Sequence, residues 1–454
     1  MNRHWTDGTD LVLDFIASIT WGALPPAVQH QSRRCLLDLV GGLVAGRRTP
    51  VGDLMATVAR DQYPGTQATV LVSGEKVSAI GACLANGFAQ NALDIDDGYR
   101  RIKGHPGAAF LPALLAALEV RGGCPGAEFL TGVVIGYEIG IRAGLIRHAI
   151  YPTYHSSGSW GAVGAAACAG RLLGLNRAHM REALGTAEYH APIAPMVKGI
   201  DVPCMGKDSL GWGAMTGLAS VFMAGAGFTG VEPLFSQTPE KEWVTGLGRD
   251  YEILNLYFKP YAACRWAQPA VAGCLKLVCE HGLKPADIAR VRVRTFAAAA
   301  SLTRVPPRNT EEAQYNLAYP VAAALLDGAV GPKQVLPPRL FDRDVLELAA
   351  RLEVEVAPEF ESRFPAKAVA SVEITTTAGG RYDSGAVEAR WEPPDTLPSD
   401  DELREKFLWL AGPVLGDTRA KDLMGLIWTF DQVPDARKLV ALTMADRRQP
   451  RTDT

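Results

Sequence analysis

Residues 131–144, TGVVIGYEIGIRAG, decide the fold because glycine recurs in them at every fourth position. Residues four apart share one face of an α-helix, so Gly132, Gly136, Gly140 and Gly144 form a stripe without side chains. Each glycine costs about 1 kcal/mol of helix propensity, and the stripe lets another backbone approach closely. The spacing differs from the G-x-G-x-x-G of dinucleotide-binding loops. The stretch therefore predicts a tightly packed helical region.

The same three-and-four spacing of apolar residues continues on both sides of this stretch, as far as about residue 265. The predicted helices are 27–45, 78–93, 107–121, 127–147, 160–174, 179–188 and 210–226. Beyond residue 266 the pattern changes, because apolar and polar residues alternate as in half-buried strands. The predicted strands are 288–296, 352–356 and 371–377, the last opening a hairpin, with helical stretches 266–281, 311–327 and 343–351 between them.

Three prolines at positions 393, 394 and 398 mark a boundary, after which helical periodicity returns at 400–445. We expect a mainly α fold with two domains. A large multihelical domain comprises residues 1–266 and is completed by residues 399–454. A smaller α+β lid domain, residues 267–398, is inserted into it.

Composition excludes several classes of protein. The 454 residues include 46 Lys+Arg and 49 Asp+Glu, a formal net charge of −3, whereas general nucleic-acid binders need a basic excess. Hydrophobic residues make up 48%, which excludes wholesale disorder. The opening MNRHWTDGTD lacks the apolar core of a signal peptide. Apolar stretches such as 158–170 are shorter than the roughly 20 residues of a membrane span. Neither nucleic acid nor a membrane is an expected partner.

The eight cysteines are scattered along the chain and form no C-x-x-C pair. Such a distribution is neither a disulfide framework nor a zinc-finger pattern. Most of these cysteines are expected to be small buried residues in a reducing compartment. We therefore expect a cytoplasmic protein.

The first candidate for chemistry is NALDIDDGYRRIKGHPG, residues 91–107. Three acids lie within four residues and are followed by a basic turn and His105. An EF-hand loop that began at Asp94 would need glycine where Tyr99 stands and glutamate where His105 stands, so calcium is not expected. The alternative is a solvated acidic turn at a helix end. Acids and a histidine on a loop between helices also favour a site.

Four further segments could contribute chemistry, although each has a structural alternative. His155 lies in a polar loop before an Ala/Gly-rich helix, and Lys207 precedes another small-residue helix. Cys264 and Arg265 end KPYAACR, where the two predicted domains meet and ligand sites often form. Tyr319 lies in EEAQYNLAYP, where a core tyrosine would be the ordinary interpretation. Lys259 and Arg265 could equally be surface charges.

The order and flanks of these motifs resemble the MmgE/PrpD superfamily, which includes 2-methylcitrate dehydratase, cis-aconitate decarboxylase and iminodisuccinate epimerase. The resemblance runs from about residue 80 to 330. It is carried by ALDIDD with HPG, GYEIG, GAVGAAACAGRLLGL after His155, the glycine-rich stretch 211–217 with AGAGFTG, KPYAAC and YNLAYPVAAALLDG. The superfamily's second domain agrees with the strand pattern of 285–395. The resemblance also implies a homodimer.

The resemblance implies five active-site residues: Asp94, His105, His155, Lys207 and Tyr319. The chain departs from the family pattern at several positions. Ser209 stands for one histidine and Cys264 for another that the decarboxylases carry, Asn316 stands for a frequent serine, and the turn before His105 is one residue longer. The loss of two histidines disfavours decarboxylation.

The shared chemistry of the superfamily begins with removal of a proton or a carboxylate next to an acid group. Cations and hydrogen-bond donors that face the developing enolate stabilise it. We expect Lys207 to have this role, and the guanidinium or ammonium groups of Arg265 and of the basic turn to bind substrate carboxylates. The candidates in that turn are Arg100, Arg101 and Lys103.

A histidine near its ordinary pKa of about 6.5 can move a proton near neutral pH. His105 and His155 are the predicted acid–base pair, Asp94 orients one imidazole, and Tyr319 donates to the substrate. The scheme requires neither metal nor cofactor, and the chain offers no iron–sulfur cysteine cluster.

The function expected from the sequence is a cofactor-independent dehydratase or hydratase, a lyase acting on a small di- or tricarboxylate. The first alternative is an epimerase of an amino- or imino-dicarboxylate, in which a thiolate at Cys264 would serve as one of two bases. A decarboxylase of the cis-aconitate type is a further alternative. The last is a family member that binds a ligand without catalysis.

Overall fold

The computed structural model describes residues 8–151, 153–236 and 242–445. Most of these residues are helical, which confirms the mainly α fold class. Up to residue 260 the helices are α1 (Gly8–Ser18), α2 (Pro26–Gly46), α3 (Pro50–Gln62), α4 (Ala79–Gln90), α5 (Pro106–Arg121), α6 (Gly126–Ile150), α7 (Gly158–Leu172), α8 (Arg177–His190), α9 (Met196–Asp201), α10 (Leu210–Gly225) and α11 (Glu242–Thr245). A short antiparallel hairpin, β1 (Ala68–Val70) with β2 (Glu75–Val77), joins α3 to α4.

The second half of the chain combines helices with a sheet, as the change of pattern predicts. Its helices are α12 (Gln268–His281), α13 (Ala297–Ala300), α14 (Thr310–Gln314), α15 (Ala318–Asp327), α16 (Pro332–Val335), α17 (Arg343–Ala349) and α18 (Pro358–Glu361), followed by α19 (Asp400–Leu415), α20 (Asp417–Trp428) and α21 (Arg437–Thr443). Its strands are β3 (Ile288–Thr295), β4 (Leu352–Val356), β5 (Val369–Thr376), β6 (Arg381–Asp383) and β7 (Val387–Glu388).

Strand β3 lies at the centre of this sheet. It pairs in parallel with β4 and antiparallel with β5, which also pairs with β6 and β7. Along β3, Val291 and Val293 are buried while Arg290 is exposed, as the alternating pattern predicts. Helix α12 packs against β5 and covers the sheet.

The glycine stripe lies on α6 and packs inside the chain. A Cβ at Gly136 would lie 2.5 Å from the Phe110 ring on α5, and one at Gly140 would meet the Gly164 backbone on α7. Helix α6 is long and apolar enough to span a membrane, but its apolar window is wholly buried in the protein, as in a core helix. The stripe therefore lets α6 approach both α5 and α7 within the chain. Since these glycines pack inside one chain, they do not bear on the homodimer, which remains a prediction.

Buried apolar side chains form two main cores. One collects residues from Val12 to Phe258 together with Trp391 to Val440. The other is built mostly from Tyr261 to Ile374 and includes the sheet. The chain passes between the cores near residues 258–261 and again between 374 and 391. A site that draws on residues near both crossings lies where the two cores meet.

One predicted helix, 311–327, is two helices in the structure. Helix α14 ends at Gln314, and α15 begins at Ala318. The Asn316 side chain accepts a hydrogen bond from the Tyr319 N–H at 2.8 Å, and such local side-chain bonds compete with helix continuation. In one continuous helix, Tyr315 and Tyr319 would share a face. The break separates their directions.

The close approach at the stripe gives a prediction for stability. Alanine at Gly136 would overlap the Phe110 ring, and overpacking costs about 1–3 kcal/mol, against about 1 kcal/mol gained in helix propensity. At Gly140 the nearest atom to a new Cβ is 3.6 Å away, an ordinary contact. We expect Gly136→Ala to lower the urea midpoint of unfolding and Gly140→Ala to leave it unchanged or raise it. Equal midpoints for the two variants would contradict the packing described for α6.

Candidate active site

A cavity of about 280 Å³ lies where residues near both chain crossings converge. Its walls include the turn between α4 and α5, the segment 257–266, residues 364–368 and Glu392. Of the predicted site residues it is lined by Asp94, Arg100, Lys103, His105, Cys264 and Arg265. It is also lined by Tyr154, Asp208, Tyr257, Lys259 and Tyr315, among others. The structure thus brings six of the ten predicted residues to one cavity.

The centre of the site is the buried carboxylate of Asp94. The Lys259 ammonium donates to Asp94 Oδ1 at 2.8 Å and to the Asp94 carbonyl oxygen at 3.0 Å. His105 Nε2 lies 3.3 Å from the same Oδ1. Lys259 is only 1% exposed, so bulk water does not solvate its charge. Two buried cations therefore share one carboxylate oxygen.

Helix geometry places this pair. Asp94 follows α4 in a turn and has a φ of +50°, a left-handed conformation that L-residues seldom adopt. His105 precedes Pro106 at the first position of α5, where a proline costs no backbone hydrogen bond. The turn between these two helices therefore holds both side chains on the cavity wall.

His105 contacts a second carboxylate as well. Its Nδ1 atom lies 3.1 Å from Asp96 Oδ2 and 2.8 Å from the Asp97 carbonyl oxygen. Burial lowers the pKa of His105, but the charges of Asp96 and Asp94 outweigh it and raise this pKa to about 10. The ring is therefore an imidazolium at neutral pH and can act as an acid.

The carboxylates respond in the opposite sense. Burial disfavours the charged form of Asp94, but Lys259 and His105 hold the pKa of Asp94 well below its usual range. The pKa of Asp96 is also lowered, since His105 outweighs burial. Behind them, burial and the nearby Asp38 raise the pKa of Asp97 to about 7, against a hydrogen bond from Tyr137 on α6. Asp94 and Asp96 thus remain charged beside the imidazolium.

Lys207 lies behind the cavity wall rather than on it. Its ammonium donates to the carbonyl oxygens of Asn91 at 2.9 Å and Ala92 at 3.0 Å, and to the Gln314 side chain. Burial lowers the pKa of Lys207, and the charge of Asp94 opposes this shift. Its backbone φ of +38° is left-handed, like that of Asp94. Lys207 therefore anchors the turn that carries Asp94 and adds positive charge near it.

Asp208 is a residue that the sequence reasoning missed. Its carboxylate accepts hydrogen bonds from the Ser157 backbone N–H at 2.9 Å and from the Ser157 hydroxyl. The same hydroxyl accepts from the backbone N–H of His105 at 3.0 Å. Burial raises the pKa of Asp208. Through Ser157, Asp208 fixes the backbone from which His105 projects.

The predicted carboxylate-binding cations have different surroundings. Arg100 and Arg265 both pair with Glu392, at 2.6 and 3.2 Å. Lys103 lines the cavity over the Tyr154 ring and makes no ion pair within the described part of the chain. Arg101 does not line the cavity and lies over the Trp243 ring instead.

Besides Lys207, two predicted catalytic residues do not line the cavity. The Tyr319 hydroxyl donates a hydrogen bond to the Gln334 carbonyl oxygen at 2.5 Å. Tyr315, rather than Tyr319, lines the cavity. The helix break at Asn316 explains this difference. His155 Nδ1 lies 2.7 Å from the Thr153 carbonyl oxygen, and its buried Nε2 has no hydrogen-bond partner among the residues that the structure describes.

His155 is nevertheless suited to accept a proton. Its Nδ1 faces a carbonyl oxygen, so Nδ1 carries the hydrogen and Nε2 carries the lone pair. Burial lowers the pKa of His155, which keeps the ring neutral at physiological pH. The ring stacks on His148 at 4.3 Å between centroids, and the neighbouring Tyr154 lines the cavity.

Cys264 lines the cavity, but its chemistry is not that of a base. Burial, with a contribution from Asp94, raises the pKa of the Cys264 thiol to about 12. A thiol with this pKa is almost fully protonated at neutral pH, whereas a catalytic base needs the thiolate. The surroundings of Cys264 therefore weigh against the epimerase alternative.

The acidic cluster also has the spacing of a metal site. Ligand atoms of Asp94, Asp96 and His105 lie within 4.8 Å of one another. A divalent cation on Asp94 Oδ1 would meet the Lys259 ammonium 2.8 Å from that oxygen. The residues fit an ion-pair network better than a metal centre.

The raised pKa of His105 gives a prediction that can be checked by NMR. We expect the His105 ring nitrogens to titrate near pH 10 rather than near 6.5, with Asp96→Asn lowering that pKa because one carboxylate is removed. Since folding raises this pKa, the stability that His105 contributes is complete below about pH 6.5 and is lost as the pH rises toward 10. A His105 ring that is neutral at pH 8 would contradict the assignment.

Comparison with known proteins identifies the family of the chain. The MmgE/PrpD N-terminal domain matches residues 12–248, and the MmgE/PrpD C-terminal domain matches residues 261–432. The chain is 25% identical to a cis-aconitate decarboxylase-like protein, oryM, of Aspergillus oryzae, with 92% of this chain and 93% of that protein covered. It is 25% identical to human cis-aconitate decarboxylase (93% and 91% covered) and 24% identical to that of Aspergillus terreus (94% of each). The chain belongs to the MmgE/PrpD family.

Proposed function

We propose that the chain is a lyase acting on a small di- or tricarboxylate, in the manner of a dehydratase or hydratase. A proton leaves the carbon next to a carboxylate, and a hydroxyl group leaves the neighbouring carbon as water. The observation that carries the proposal is the imidazolium of His105 on the cavity wall, held charged by Asp94 and Asp96. A hydroxide is a poor leaving group, and His105 can protonate it as it departs.

The positive charge around the cavity supports an anionic substrate. Lys103 is the free cation among the described lining residues and can bind a substrate carboxylate directly. Lys259 lines the cavity and Lys207 lies behind it, so both add to the field at the developing enolate. One well-placed donor to such an oxyanion contributes about 3 kcal/mol to the transition state.

His155 is the proposed base. Its neutral ring, and an Nε2 that has no hydrogen-bond partner among the described residues, match the requirement for a proton acceptor near pH 7, complementary to the charged His105. The ring does not itself line the cavity, so this role requires Nε2 to reach the substrate beside Tyr154, which does line it. Asp208 and Lys207 are positioning residues in this proposal, because both hold the backbone that carries the acid and the central carboxylate.

A second candidate is a decarboxylase, favoured by the names of the relatives that match over nearly the whole chain. In that reaction carbon dioxide leaves, and His105 protonates the carbon left behind. No base is needed for that step, whereas dehydration requires one. The fate of the substrate's own α-proton therefore separates the two candidates.

The experiment is incubation in D₂O with a panel of hydroxy- and unsaturated di- and tricarboxylates, followed by ¹H NMR. Dehydration would appear as a hydroxy acid converting to an unsaturated acid with the same number of carboxylates. We expect His105→Asn to lower turnover at least about 100-fold and the exposed His281→Asn to leave it unchanged.

Other outcomes of this experiment contradict the proposal. Loss of a carboxylate with deuterium at the new C–H bond would establish the decarboxylase. Deuterium incorporation without elimination would establish the epimerase. Binding without turnover would indicate a non-catalytic member. Full activity of a folded His105→Asn protein would contradict the assignment of His105 as the acid.

A further inference from the structure

The carboxylate of Glu392 pairs with two of the three arginines expected to bind substrate, Arg100 and Arg265. Arg100 Nε donates to Glu392 Oε1 at 2.7 Å, and Arg265 Nη2 lies 3.2 Å from Glu392 Oε2. The guanidinium of Arg265 also lies over the Tyr257 ring, 4.3 Å from its centroid. Two guanidinium groups converging on one point form a strong carboxylate site. In this protein, the carboxylate in that site belongs to the chain itself.

Glu392 is a fixed part of the cavity wall. Its N–H donates to the Thr396 hydroxyl at 2.9 Å, and its carbonyl oxygen accepts from the Thr396 N–H at 3.0 Å. The preceding Trp391 carbonyl oxygen accepts from the Phe258 N–H at 3.0 Å. The Glu392 side chain is only 12% exposed. Hydrogen bonds therefore fix the backbone at Glu392 and at the residue before it, and this backbone positions the carboxylate.

We propose that Glu392 is a specificity-determining residue that takes the place of a substrate carboxylate, so that the cavity accepts a dicarboxylate in preference to a tricarboxylate. This inference rests on the proposed function and narrows its substrate class. Arg100 and Arg265 both face Glu392, so the three groups carry a net charge of +1 where the two arginines alone would carry +2. A third substrate carboxylate would lie against the like charge of Glu392. Lys103 and the cations around Asp94 remain for two carboxylates.

Charge decides this preference rather than size. A cavity of about 280 Å³ has room for either class of small acid. Glutamine at position 392 keeps the shape of the side chain and removes its charge, which leaves the charges of both guanidinium groups uncompensated and able to attract a substrate carboxylate. The substitution should therefore change the preference without changing the cavity.

The experiment is calorimetric titration of the whole protein with succinate and with propane-1,2,3-tricarboxylate. We expect the wild-type protein to bind succinate at least about tenfold more tightly. We expect Glu392→Gln to shift the ratio of the two dissociation constants at least about tenfold toward the tricarboxylate. Glu388→Gln, which removes a carboxylate paired with Arg363 and Lys367 outside the cavity lining, is the matched control.

The outcomes separate this inference from the function on which it rests. If neither acid binds the wild-type protein, the proposed function fails. If both bind and the wild-type protein prefers the tricarboxylate, the role of Glu392 is wrong while the proposed function stands. An unchanged ratio in a folded Glu392→Gln protein would overturn the same role. The wild-type preference tests the inference even if that variant does not fold.

Discussion

The site depends on one buried carboxylate, Asp94, which is shared by the ammonium of Lys259 and the imidazole of His105. Removing three charged groups from water costs several kcal/mol for each ion, and only close pairing offsets this cost. The three groups come from the turn after α4, the start of α5 and the crossing between the two cores. Their pairing therefore fixes the position of the turn relative to that crossing.

The helical core supports this arrangement from behind. The glycine stripe lets α6 approach α5 and α7, and on the same helix Tyr137 donates its hydroxyl to the Asp97 carboxylate. Asp97 in turn accepts from the His105 ring through its carbonyl oxygen and from the Gly107 N–H through its carboxylate. Packing at the start of α5 is thus connected by hydrogen bonds to the charge state of the proposed acid.

Local patterns predicted much of the fold and part of the site. Periodicity indicates which face of an element is buried, so the helices and strands could be predicted from the sequence. The acidic turn with its histidine could be predicted as well.

Contacts that depend on tertiary structure could not be predicted in this way. The break at Asn316, which directs Tyr315 and not Tyr319 to the cavity, depends on one side-chain hydrogen bond. Glu392 lies 292 positions from Arg100, one of the two arginines with which it pairs. Lys259 lies in the apolar run LYFKPYAAC. A lysine is ordinarily expected at the surface, but the apolar residues on both sides of this one indicated that it is buried.

The most direct test of the central claim is a double-mutant cycle on unfolding, with Asp94→Asn, Lys259→Met and the double variant in urea at pH 7. A buried ion pair predicts strong coupling, because Asp94→Asn leaves the Lys259 ammonium without its carboxylate and Lys259→Met leaves Asp94 with His105 alone. The double variant removes both members of the pair. We expect a coupling free energy of about 2 kcal/mol or more. Additive effects, within about 0.5 kcal/mol, would show that Asp94 and Lys259 do not form the pair on which this site is built.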